Sequence, residues 1–235
     1  AGTQSDGMSA NRYALLSFSR EKTGIITRFC EKTSGPFMLT PFLLSLLCRS
    51  YALLLDELPV PGNILIPMSV DLRGRAGIAR DAVFFNQWSL QPLLIPRELC
   101  VNPEAVFAEL KGQIFENMSE QLPQAFRAAS RLGRIAPFPF LMSLVNKTKR
   151  TGCGTFMYSF LSESSLKSGE FCGHRILNLY HIPSMPPVTG AGVFMNSFGG
   201  ALNVTLSYRE DSLTPNAVRS RFISSFVSAL PKEAQ

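Results

Sequence analysis

Val70-Asp71-Leu72-Arg73-Gly74-Arg75, followed shortly by Phe84-Phe85-Asn86-Gln87, is the stretch on which the reading of the fold turns. An apolar run from Ile64 to Val70, interrupted by Pro67, ends in these charges, and a second β-type run from Ala82 to Ile95 begins beyond them. Two strands joined by a polar connection account for the pattern. Asp71 and Arg73 stand two apart, so in a continuing strand they share a face and can pair locally, which pins the loop. Asn86 begins or interrupts the second strand, where its amide can satisfy unpaired backbone groups. Asp71, Arg73 and Asn86 are therefore expected to be structural rather than catalytic. Loss of a charge-assisted bond in Arg73→Ala is expected to cost about 1–3 kcal/mol.

Upstream, Phe37 to Leu55 is mostly apolar and near the length that spans a bilayer. Pro41, Arg49 and several hydroxyl residues within it fit a buried core helix instead, with Thr40 as N-cap and Pro41 at the first helical position. Before it, Tyr13 to Phe18 reads as a strand, and Ser19 caps a helix with Ile25, Ile26 and Phe29 on one face. Residues 1–11 read as a tail. Downstream, Asn102-Pro103 opens a helix with a stripe of Val106, Phe107, Leu110, Ile114, Met118 and Leu122. Shorter helices follow over 124–132 and 138–147. Strands are expected over 154–161, 175–181, 191–197 and 201–208. In the last, Leu202, Val204, Leu206 and Tyr208 face one way and Asn203, Thr205 and Ser207 the other. Thr214-Pro215 caps a closing helix carrying Val218, Phe222, Phe226 and Leu230. The order predicts an α/β fold: a mixed β-sheet with helices packed mainly on one side.

Composition narrows the function classes. Of 235 residues 46% are apolar and 18 are Phe, which excludes a disordered chain. The net charge of +6 is scattered apart from Lys147, Lys149 and Arg150, so no nucleic-acid partner is implied. The five cysteines contain no C-x-x-C pair, which speaks against a zinc site or disulfide framework and for free thiols in a reducing, cytoplasmic setting. G-x-S-x-G, Walker and G-x-G-x-x-G signatures do not occur. His174 and His181, the two histidines, fall on opposite faces of one strand and make a poor metal pair.

These segments, in this order, resemble a known superfamily. The strand ending in Val-Asp-Leu-Arg-Gly-Arg and the following Phe-Phe-Asn-Gln are similar to the V-D-x-R and downstream G-N or F-N of the C-terminal half of chloramphenicol-acetyltransferase-like enzymes. That group includes peptide-synthetase condensation domains, wax ester synthase/diacylglycerol acyltransferases, alcohol acetyltransferases and plant BAHD acyltransferases. Residues 39–55 are similar to a family helix beginning T-x-x-D-x-L-L-A-A-L, with Leu43 or Leu44 in place of the aspartate. Residues 171–226 look like the closing pattern of the wax ester synthases. The resemblance runs from about residue 12 to 230. The family's catalytic H-H-x-x-x-D-G and the BAHD motif D-F-G-W-G do not occur in this sequence.

The resemblance implies that residues 12–235 form the C-terminal lobe of a two-lobe acyltransferase, inactive without a histidine-bearing N-terminal lobe. An acyl group would pass from a CoA or phosphopantetheine thioester, a donor substrate rather than a bound cofactor, to an alcohol or amine, with the histidine as general base. The implied partners are that N-terminal lobe, an acyl carrier protein and a small-molecule acceptor; no nucleic acid and no transmembrane segment are implied. Ser159 and Ser162 lie where the family places a channel-lining strand, and a hydroxyl there could donate to the thioester oxygen or oxyanion. A regular strand cannot aim both inward unless a bulge intervenes, so Ser159, inside the apolar run, is preferred. Bonding of either serine to nearby backbone is the plainer alternative. The alternative function is a non-catalytic module that binds an acyl group or a carrier protein. A serine or cysteine nucleophile has no base with a partner in view.

Overall fold

The structure is a computed structural model and describes residues 10–56, 62–74, 87–133, 135–151, 155–163, 169–185, 190–210 and 213–232. Strand β1 (Asn11–Phe18) leads into α1 (Arg20–Ser34) and α2 (Leu39–Leu55). Next come β2 (Ile64–Asp71) and β3 (Trp88–Ile95), a 3-10 turn at Arg97–Val101, α3 (Pro103–Ser119), α4 (Leu122–Leu132) and α5 (Phe138–Thr151). The chain continues through β4 (Met157–Glu163), the short β5 (Glu170–Phe171) and β6 (His174–Arg175), then β7 (Ala191–Phe198) and β8 (Ala201–Arg209). It closes with α6 (Pro215–Ala217), a π-helical stretch Val218–Ile223 and α7 (Ser224–Ala229).

Six strands form one mixed sheet in the order β1-β8-β7-β4-β2-β3. The β1/β8, β8/β7 and β2/β3 pairs are antiparallel, whereas β4 runs parallel to both β7 and β2. The mixed sheet expected from the element order is therefore present. Helices cover one face. Leu202, Val204, Leu206 and Tyr208 of β8, with Ala191, Val193 and Met195 of β7, pack into a core shared with α2. Most of α2 is buried, including Leu43, Leu44, Leu47 and Leu54. No single helix among the described residues is long and apolar enough to cross a membrane.

Local signals placed most helix starts. The Ser19 hydroxyl accepts the Lys22 N–H at 3.2 Å, and Asn102 Oδ1 accepts the N–H groups of Glu104 and Ala105 at 3.0 and 3.3 Å. Helix α2 differs: it begins at Leu39 with Met38 as N-cap and no side-chain cap bond, so Thr40 is inside the first turn. Proline is tolerated throughout that turn because its missing N–H has no helical partner there, so Pro41 marks the start only to within a residue or two. The apolar stripe beginning at Val106 is divided: α3 ends at Ser119, Gln121 takes φ 55°, and Leu122 opens α4. In the closing helix Val218, Phe222, Phe226 and Leu230 are all buried, though a π-helical turn interrupts it.

The strand expected over 175–181 is the clearest correction. Only His174–Arg175 pairs, in a small hairpin with Glu170–Phe171. Beyond it the chain runs as an unladdered strap across the other face of the sheet. Side chains replace the ladder there. Asn203 Nδ2 donates to Asn178 Oδ1 (2.7 Å) and to the Leu179 carbonyl (3.0 Å), and Asn178 Nδ2 donates back to Asn203 Oδ1 (3.0 Å). Asn196 Nδ2 donates to the same Leu179 carbonyl (2.8 Å), while the His181 N–H donates to Asn196 Oδ1 (3.2 Å). Gly192 permits this close approach. A Cβ there would meet the Phe194 ring at 2.6 Å and Met185 Sδ at 2.7 Å. Of the range expected as a longer second strand, the described part begins at Gln87 and is a strand from Trp88.

Asn203 thus holds the strap to β8 through both ends of one buried amide. Asn203→Ala is expected to lower stability by about 2–4 kcal/mol, because it removes the several hydrogen bonds that Asn203 makes to Asn178, the Leu179 carbonyl and Ser17. Urea unfolding measures this; a loss below about 0.5 kcal/mol would show that the clamp contributes little.

Candidate functional site

Asp71 closes β2, and Arg73 folds back onto it. The Arg73 N–H donates to Asp71 Oδ1 at 2.9 Å, Nε donates to Oδ1 and Oδ2 at 3.1 and 2.9 Å, and Nη2 lies 2.7 Å from Oδ2. The expected local pair is present, but its side chains are 43% and 51% exposed. Water screens such a pair, so the cost of Arg73→Ala falls to about 1 kcal/mol or less, at or below the foot of the range anticipated for a charge-assisted bond. Asn86 lies outside the described residues. Its neighbour Gln87 accepts the Leu72 N–H through its carbonyl at 2.9 Å, and its Oε1 accepts from Arg127 Nη2 at 2.9 Å.

Ser159 is buried in the middle of β4, level with Phe194 in β7. It faces away from the helices, as do Asn196, Asn203, Thr205 and Ser207. The register of Met68 opposite Tyr158 sets Ser69 and Asp71 on this face as well. The bulge needed if both serines were to share a face is present: the β4/β7 register shifts between Leu161 and Glu163, with Ser162 as the extra residue. The direction of the Ser162 side chain is outside the described structure.

Among the described residues, the polar face has three buried atoms without hydrogen-bond partners: Thr205 Oγ1, Ser207 Oγ and His181 Nδ1. His181 stands on the strap with its ring edge-on to Phe194, the centroids 5.4 Å apart. Burial holds its pKa below the ordinary histidine value. His174 lies exposed on the small hairpin. The two histidines do not share a strand: His174 is in β6 and His181 on the strap. No group of three or more metal-ligating side chains is assembled among the described residues.

On the helix-covered side there is a cavity of about 970 Å³ between the start of α2, the length of α3 and strands β2, β3 and β4. Phe107, Phe115, Met68, Met118, Tyr158 and Phe160 form much of its wall. Gln91 of β3 also lines it, fully buried, with neither Oε1 nor Nε2 bonded. Sequence reasoning passed over this residue. The signal was the strand Trp88–Ile95 itself, whose helix-facing positions read Ser89, Gln91, Leu93, Ile95. Half of a core-facing row is polar, and Ser89 finds a partner in the Pro123 carbonyl at 2.7 Å.

No protein-family model and no curated protein sequence matches the chain. Solved structures do. The trichothecene 15-O-acetyltransferase from Fusarium sporotrichioides superimposes with a TM-score of 0.60 at 17% identity, over 94% of this chain and 46% of that one. The epimerization domain from the third module of tyrocidine synthetase B gives 0.60 at 12%, over 96% and 48%. The condensation domain of the monacolin K polyketide synthase gives 0.56 at 14%, over 97% and 49%. The chain has the chloramphenicol-acetyltransferase-like fold. It spans about half the length of these neighbours. The chain presents two candidate surfaces: the polar sheet face under the strap, with Ser159, and the helix-side cavity, with Gln91.

His181 makes the polar face pH-sensitive. The folded chain takes up the imidazole proton only at lower pH than the unfolded chain does. Stability is therefore complete above the unfolded pKa, about 6.5, and declines as pH falls through that value toward the depressed folded one. The melting temperature is expected to drop between pH 7.5 and pH 5.5, and by less in His181→Phe. Equal drops in the two proteins would remove His181 from the explanation.

Proposed function

We propose that the chain is the C-terminal lobe of an acyltransferase that moves an acyl group from a CoA or carrier-protein thioester onto an alcohol or amine. The observation that carries this reading is one of coverage: nearly all of the chain superimposes on about half of each neighbour. In this reading a histidine on an N-terminal lobe takes the proton of the acceptor. The acceptor's oxygen or nitrogen then bonds to the thioester carbon, the tetrahedral oxyanion collapses, the carbon–sulfur bond breaks, and the histidine returns its proton to the departing thiolate. The lobe contributes one channel wall. Ser159, buried on the polar face, is the residue this reading assigns to the donor's carbonyl oxygen. Ser162 takes a secondary place at the bulge.

The two histidines support the need for a second lobe. His174 sits on a surface hairpin, and His181 carries a depressed pKa without a carboxylate partner to orient it. A general base contributes roughly 10²–10⁴ in rate, and neither residue has the surroundings that tune one. Several neighbours are domains of multidomain synthetases, which supports a carrier-protein partner as the donor's vehicle.

The purified chain is expected to release no thiol from acyl-CoA or acyl-pantetheine thioesters above background. Mixing with an N-terminal lobe bearing H-H-x-x-x-D-G is expected to restore turnover. Turnover by the chain alone, lost in His181→Ala, would overturn the reading. Tight binding of an acylated carrier protein with no turnover in the mixture would favour the non-catalytic module.

A further inference from the structure

We propose that the helix-side cavity is a binding site for an apolar molecule carrying a carboxamide, and that Gln91 is the residue that recognises it. The inference rests on Gln91 and the cavity alone and stands independently of the acyl-transfer reading. Gln91 is 0% exposed, and both polar ends of its side chain lack a partner. A folded chain meets this cost at few positions, and an apolar residue of similar shape would remove it. Two other polar side chains of the helix-side core avoid it. Ser89, one position away on the same face, bonds the Pro123 carbonyl, and Ser50 bonds the Leu46 carbonyl at 2.9 Å.

The cavity around the amide suits a ligand. Its volume of about 970 Å³ falls at the upper end of the usual range for small-molecule sites. Its wall near Gln91 is apolar, and the charged Lys111 of α3 also lines it. Gly112 on α3 lines it, and a Cβ there would meet nothing within 4 Å. Met68 lies directly opposite Gln91 across the β2/β3 pair, and Met38 and Met118 line the same space. Unbranched thioether side chains change rotamer readily, which gives an incoming group access to an amide that its neighbours now cover. Phe37 adds a rim contact. It is 95% exposed and holds φ 65°, a left-handed backbone conformation uncommon for an aromatic residue.

The chemistry of the ligand follows from the two unbonded ends. Glutamine offers an acceptor and donors side by side, and another carboxamide returns the complementary pair, closing two N–H···O bonds. An ester leaves the Gln91 carbonyl unanswered. A carboxylate places its charge beside that carbonyl oxygen and loses its hydration on entering an apolar wall. The preference is therefore amide over ester and over carboxylate.

The test uses three probes that differ in one group: 4-phenylbutanamide, methyl 4-phenylbutanoate and 4-phenylbutanoate, titrated into the whole chain by calorimetry. The amide is expected to bind at least about tenfold more tightly than either of the others, and Gln91→Leu to abolish that preference while melting at or above the wild-type temperature. Equal affinities, retention of the preference in Gln91→Leu, or binding of none of the three would overturn the proposal. Should Gln91→Leu fail to fold, the side-chain NH₂ resonances of Gln91 in wild-type protein decide the matter. They shift on adding the amide and not the ester if the site is real, and stay unmoved by the amide if it is not.

Discussion

Strand β8 is covered on both faces, and the two faces are chemically unlike. Every residue from Leu202 to Tyr208 is buried, so the polar half of its alternation cannot rely on water. Toward the helices the constraint is met by packing, because Leu202, Val204 and Leu206 meet the apolar surface of α2 and the closing helix. On the opposite face it is met by an amide at Asn203, while the Thr205 and Ser207 hydroxyls stay unbonded. Asn203 and Asn196 bind backbone groups of the strap, and the Ser17 hydroxyl of β1 donates to Asn203 Oδ1 at 2.8 Å. A buried polar network stabilises only when its members are bonded, so the strap's path is dictated by where those amides point. Gly192, the buried Met185 and the edge-on His181 follow from that path.

The same division locates the two candidate surfaces. The strap-covered face holds Ser159 in the middle of the sheet, where the proposed acyltransferase reading needs a channel wall. On the helix face, α3 and α4 both lie against β3, and α3 presents Ala108 and Gly112 to the cavity. Small residues on α3 opposite a row containing Gln91 leave space where the remainder of the sheet has side chains. The chain's share of its structural neighbours, about half, means that neither surface need be complete by itself.

Much of the architecture was legible because it is locally encoded. Ser19 and Asn102 cap helices as their sequence contexts indicate, and the alternation in β8 sorts its residues correctly onto two faces. The segment 175–181 misled because β-type composition reports extended backbone, not pairing; its partners are side chains distant in sequence, which no local pattern contains. Asp71 and Arg73 were recognisable as a pair, whereas their exposure depends on tertiary packing. Ser159 was placed in a strand from its apolar neighbours, and the bulge beside it arises from the β7 register. Gln91 was visible as a polar residue in an alternating strand, but its lack of a partner is a property of the assembled core. The family resemblance read from short motifs agrees with the fold, although identities of 12–17% leave no sequence match to lean on.

The central structural claim is that side-chain amides, rather than a strand ladder, close the polar face of the sheet. Amide hydrogen exchange resolved along residues 176–185 tests it most directly. The account predicts that the His181 N–H, donated to Asn196 Oδ1, exchanges at least about a hundredfold more slowly than in an unstructured chain, and that Asn196→Ala removes this protection while β8 stays protected. Exchange of the His181 amide at the unstructured rate in the wild-type chain, with β7 and β8 still protected, would contradict it.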